Sequence, residues 1–130
     1  MIAIVDYKAG NIRSVENALR RLGAEYVLTS DPEIIRRADH VMLPGVGEAS
    51  SAMRSLEDTG LIPLIKSLTQ PVLGICIGLQ LMCASSEEGG VECMGIFKSK
   101  VTRFPEASGV KIPHTGWNTI SGLRGPLFRN

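Results

Sequence analysis

Residues 71–82 read Pro71-Val-Leu-Gly-Ile-Cys-Ile-Gly-Leu-Gln-Leu-Met82. An apolar run reaches Cys76, which has Gly74 and Gly78 two positions to either side, and a helix-compatible run follows. Read as a strand over 72–75, a sharp corner at Cys76 and a helix from Ile77 to Ala84, this is the thiol form of the G-x-S-x-G nucleophile elbow. The two glycines remove side chains that would collide as the chain reverses direction. A cysteine at such a corner stands exposed above the sheet. Free N–H groups opening the helix favour negative charge on the sulfur. The N–H of Ile77 is placed to donate to an oxyanion formed on a carbon that the sulfur attacks. A free cysteine is also a common core filler, and the stretch by itself leaves both readings open.

The flanks favour the elbow. Residues 2–5 form a short apolar run that predicts a buried strand. Ile12, Val15, Ala18, Leu19 and Leu22 then fall on one helical face, with Asn11 as cap and Gly23 as terminator. Residues 26–29 predict a second strand, and Ser30-Asp31-Pro32 opens a short helix ending near Arg37. Residues 40–43 predict a third strand, broken by the loop Pro44-Gly-Val-Gly47. A helix from about Glu48 to Leu56, a stop near Gly60 and a further apolar-periodic piece to Leu68 lead back to residue 72. After Ser85 the texture changes: Ser-Ser-Glu-Glu-Gly-Gly reads as a loop, Phe97 to Phe104 alternates like a strand, and frequent Gly and Pro follow. Strand and helix alternate four times in the first 84 residues. That pattern predicts an α/β fold, a doubly wound and mostly parallel sheet with helices on both faces. Ligands in such sheets bind at the carboxyl ends of strands, where the sequence places both Cys76 and the loop 44–47. Together they form an oxyanion hole from the N–H groups of Val46 and Ile77.

The chain's 130 residues suffice for a single domain, read as 1–130. Hydrophobic residues make up 44% and the net charge is +1, so no nucleic acid or membrane partner is expected. No apolar run approaches a membrane span and no basic, apolar leader opens the chain, so the cytoplasm is the expected location. Cys76, Cys83 and Cys93 are three, without a C-x-x-C pair, which fits neither a disulfide framework nor a zinc site. No metal and no cofactor are expected. Cys83 reads as core and Cys93 has no functional reading.

The segments PGVG, GICIGLQL and SEEG, in this order and spacing, resemble the class I, triad-type glutamine amidotransferases. Within that family, DYKAGNIRSV at the start and KIPHTGWN later resemble the glutaminase subunits of imidazole glycerol phosphate synthases. The resemblance runs along essentially the whole chain and implies a flavodoxin-like amidotransferase domain. It implies that Cys76 attacks the side-chain amide of L-glutamine and forms a thioester that water hydrolyses. Gln80 and Glu88 would help hold the glutamine, and Gly45, Val46 and Gly47 would rearrange to supply an oxyanion donor. The implied partner is a (β/α)8-barrel cyclase, which receives ammonia and makes imidazole glycerol phosphate and AICAR in histidine biosynthesis. Asn11 and the segment holding His114, Gly116, Trp117 and Asn118 would lie near that partner. Thr115 stands where the family commonly has Met, and Lys8 where it has a smaller residue.

A cysteine triad needs a histidine to accept the thiol proton and return one to ammonia. His40 is followed by Val-Met and His114 by Thr-Gly, so neither forms the H-x-E pair of the family. The resemblance places that pair in a C-terminal segment, so the expectation is an N-terminal portion with the C-terminal part absent and little turnover alone. Gln80 and Glu88 also fit solvated surface positions, and Trp117 fits ordinary core. Rival functions are another amidotransferase or cysteine hydrolase, a non-catalytic module that keeps the fold, and a flavodoxin-like phosphate binder. The last lacks a G-K-[ST] signature.

Overall fold

A computed structural model describes residues 1–128 of the chain. Its main sheet contains four strands, β1 (Ile2–Val5), β2 (Tyr26–Thr29), β3 (His40–Gly45) and β4 (Val72–Cys76), in the order β2-β1-β3-β4. All three pairings are parallel. Parallel neighbours need crossovers, and helices supply them: α1 (Ile12–Arg21), α2 (Pro32–Arg37), and the pair α3 (Ala49–Asp58) and α4 (Ile62–Ser67). The chain leaves β1 toward β2, then crosses to β3 on the other side. Right-handed crossovers therefore put α1 on one face and α2 to α4 on the other. The reversal creates a switch point between β1 and β3, where doubly wound sheets open a crevice.

Local sequence explains the helix starts. Asn11 accepts a hydrogen bond from the Ser14 N–H at 3.3 Å, and Asp31 from the Glu33 N–H at 2.8 Å with Pro32 next in line. Glu48 caps α3 by accepting from the N–H groups of Ser50 and Ser51 at 3.1 and 3.0 Å. Those bonds hold its carboxyl below its ordinary range, the Ser50 hydroxyl contributing most.

The larger core lies between the sheet and the α2–α4 face. Ala3, Val5, Val41 and Leu43 meet Ile35, Ala52, Leu56, Leu61 and Ile65 there. Ile4 points to the opposite face and is fully buried, as is most of Leu19 from α1. The side chain of Gln70 ties this layer together by donating to the carbonyls of Ile35, Arg36 and Ala38 at 3.1–3.3 Å.

Four features differ from the sequence reading. The third strand continues through Pro44 and Gly45, because both pair with β4 opposite Ile75 and Cys76. The segment after Ser85 is not all loop: β5 (Ser85–Ser86) pairs with β6 (Val91–Glu92) and β7 (Lys100–Val101) in a second small sheet. The strand expected over residues 97–104 shrinks to β7, because the Phe97 N–H is drawn to the Met82 carbonyl at 2.9 Å. Helix α5 (Ile77–Met82) ends two residues earlier than expected, and it packs on β3, β4 and α3.

Candidate active site

At Cys76 the backbone adopts φ 54°, ψ −120°, and among the described residues only Lys8 shares a positive φ without being glycine. An L-residue is held there at a cost of about 1–3 kcal/mol, so the surrounding packing must enforce it. Gly74 and Gly78 show how. A methyl group on Gly74 would lie 2.7 Å from the Leu79 Cα, and one on Gly78 would overlap the Leu43 carbonyl oxygen. Helix α5 thus folds back directly onto the backbone of β3 and β4, and only glycine lets it approach so closely. The corner leaves Cys76 exposed while Ile77 and Gly78 behind it are buried.

Register decides what stands beside the sulfur. Cys76 pairs with Gly45 across the β3–β4 ladder, so the elbow and the loop 44–47 share one end of the sheet. Gly45 is squeezed there: a Cβ would lie 2.5 Å from the Gly78 N and 2.9 Å from the Ile77 Cβ. Val46 follows, half-exposed, and Gly47 turns with φ 94° into the Glu48 cap. Gly45, Val46, Gly47, Cys76 and Ile77 therefore form one shelf.

Gln80 sits three residues into α5, about one helical turn or 4.5 Å of rise beyond Ile77. Its Oε1 atom is buried and has no hydrogen-bond partner among the described residues. Glu88 reaches back to the start of α3, where it accepts from the Ala49 N–H at 3.2 Å. That tether fixes it two residues past Gly47. Gln80, Glu88, Arg103 and His114 line one cleft of about 870 Å³.

Apart from His114, the remaining candidates lie outside this cleft. His40 begins β3, five residues from Gly45, which places it roughly 16 Å from the Gly45–Cys76 end of the sheet. The His114 ring nitrogen meets the Asn118 amide nitrogen at 2.7 Å on an exposed surface. Trp117 is fully exposed, against the alternative of a core position. Asn11, although exposed, already spends its side chain on the α1 cap. Cys83 and Cys93 are half-buried, and burial pushes the Cys93 thiol up. Among the described residues no cluster of three His, Cys, Asp or Glu could hold a metal, and no helix is long and apolar enough to cross a membrane.

One further residue, not among the sequence candidates, packs against the shelf. Tyr7 is fully buried below the shelf, and its hydroxyl donates to the Pro44 carbonyl at 2.6 Å. Burial, with a smaller contribution from charge at Cys76, pushes its phenol up to about 12. The hydroxyl therefore stays a donor at neutral pH. The sequence clue is a polar-tipped aromatic two residues after an apolar strand, which needs a partner once buried.

Comparison with known proteins bears on the fold and the family. The family model of the class-I glutamine amidotransferases matches residues 3–128. The imidazole glycerol phosphate synthase subunit HisH of Bacteroides fragilis (strain YCH46) is 56% identical over 129 residues, covering 98% of this chain and 66% of that protein. The subunit of the same name from Idiomarina loihiensis is 48% identical over 119 residues, covering 92% of this chain and 60% of that protein. A crystal structure of a glutamine amidotransferase superposes with a TM-score of 0.68 at 20% identity, over 86% of this chain and 60% of that one, and supports the fold. The chain thus spans 60–66% of the length of these two relatives. It belongs to the class-I glutamine amidotransferase family.

Proposed function

We propose that this chain carries the nucleophile and part of the substrate site of a glutaminase that supplies ammonia for histidine biosynthesis. The observation that carries the reading is an exposed sulfur at a strained elbow, in register with Gly45 and one helical turn from an unpartnered, buried amide oxygen. A buried acceptor without a donor costs about 1–3 kcal/mol. Such a cost is tolerated where a ligand supplies the donor. The ammonium or amide N–H of glutamine would do so at Gln80, and Glu88 would add a carboxylate for the ammonium.

The chemistry follows from the shelf. The Cys76 thiolate attacks the side-chain amide carbon and the carbonyl electrons move onto oxygen, where N–H groups of Ile77 and of the loop 45–47 stabilise them. Collapse expels the amide nitrogen as ammonia once it has gained a proton, leaving a γ-glutamyl thioester. Water then releases glutamate and regenerates the thiol. Neither His40 nor His114 is assigned the base: the first lies at the far end of β3, the second is engaged with Asn118. The 130-residue polypeptide by itself therefore releases little glutamate. The relatives are subunits of imidazole glycerol phosphate synthase. We carry over from them a cyclase partner of (β/α)8-barrel form that consumes the ammonia, docked near the exposed Trp117 and residues 114–118. A sealed route suits this chemistry, since free ammonia is protonated and lost in neutral water.

Calorimetric titration tests the reading. The chain binds L-glutamine and discriminates against L-asparagine, one methylene shorter. Gln80→Leu weakens glutamine binding at least tenfold, yet its unfolding midpoint does not fall, because the removed oxygen had no partner to lose. Equal affinity in the variant, or no heat with L-glutamine in the parent, sinks the proposal.

A further inference from the structure

We infer that Tyr7 is a positioning residue that sets the direction of the loop 45–47 and hence the oxyanion donors; this rests on the glutaminase reading above. Strand β1 pairs with β3 only as far as Ile4 opposite Met42, whereas β3 runs on to Gly45 against β4. From Leu43 onward, β3 has no ladder partner on its β1 side. The chain turns inward just there: the Asp6 N–H bonds to the Thr29 carbonyl, the Lys8 N–H bonds to the Asp6 carboxylate, and Lys8 takes φ 61°. This strained turn drops Tyr7 beneath the end of β3, fully buried, with its hydroxyl on the Pro44 carbonyl at 2.6 Å.

The contact has leverage over the loop. Proline has no N–H, so its carbonyl is the only hydrogen-bonding handle on that residue. A hydrogen bond to it holds the peptide plane joining Pro44 to Gly45. A Cβ on Gly45 would come within 2.7 Å of the Tyr7 Oη and 2.5 Å of the Gly78 N, so the hydroxyl fills the gap between strand end and elbow. Downstream, Gly45 and Gly47 provide little stiffness of their own. Their direction must be imposed from outside the loop, and Tyr7 lies at the β1–β3 switch point where that can be done.

Two reagents separate positioning from folding. Sulfur adds to the ketone carbon of a chloroketone analogue of glutamine, giving a tetrahedral oxyanion that the loop donors stabilise, and then displaces chloride from the adjacent carbon. Direct displacement of iodide from iodoacetamide needs only an accessible thiol. Rates at Cys76 are read by peptide mass spectrometry in the 130-residue chain and in Tyr7→Phe, which keeps the ring and removes the hydroxyl. The chloroketone rate falls about tenfold in the variant while the iodoacetamide rate stays within twofold. An unchanged ratio overturns the inference. A parallel fall in both rates, or loss of the fold, makes the phenol a structural group and overturns it equally. If the parent chain shows no glutamine-protected chloroketone labelling, the glutaminase reading itself has failed, which the parent alone reveals.

Discussion

Gly78→Ala unfolds the protein or lowers its stability by an amount on the order of 3–5 kcal/mol, read as a loss of helical circular dichroism or a large drop in the urea midpoint. Two effects compete. Alanine is the better helix former by about 1 kcal/mol, and position 78 lies inside α5. Against that, the new methyl group would overlap the Leu43 carbonyl oxygen and sit 2.7 Å from the Leu43 carbonyl carbon. Neither atom can swing aside, because both belong to the backbone of β3, which is laddered to β4 at this point with Leu43 opposite Gly74. The steric cost wins, and small domains have only about 5–15 kcal/mol of stability in total. A variant with parental stability would mean that α5 does not rest on the β3 backbone.

Two residues earlier in the chain, the sign reverses. Cys76→Gly raises stability by about 1 kcal/mol, because glycine takes φ 54° without strain and an exposed side chain has little packing to lose. The same variant binds glutamine and forms no covalent adduct at that position. Strain kept at a residue that does nothing for the core is the expected signature of a site held for chemistry. A Cys76→Gly protein that is less stable than its parent, in thermal and urea unfolding alike, contradicts the strained-elbow geometry.

How much of this was legible in the sequence depends on the length of the signal. The four parallel strands and their helices showed through periodicity, and the elbow through two glycines at fixed spacing around Cys76. The small sheet did not show. Its strands are two residues long, too short for alternation, and Ser85 pairs with Lys100 across a long loop. The alternating residues 97–104 misled because backbone bonds from Gly95 and Phe97 to the end of α5 hold that stretch at 2.8–2.9 Å. Gln80 was legible as a residue type in a resembling motif, while its unpartnered oxygen is a fact of packing. Tyr7 was hidden for another reason. Its partner is a backbone carbonyl, which any sequence possesses, so no residue pairing announced the contact. Glu88 likewise bonds to a backbone N–H.

The decisive measurement locates the label left by a limiting amount of the chloroketone glutamine analogue among Cys76, Cys83 and Cys93. Label confined to Cys76, and suppressed by added L-glutamine, is the result predicted for a sulfur raised at the elbow beside a glutamine site. Label spread over the three thiols, or deposited on Cys76 at a rate indifferent to L-glutamine, contradicts it.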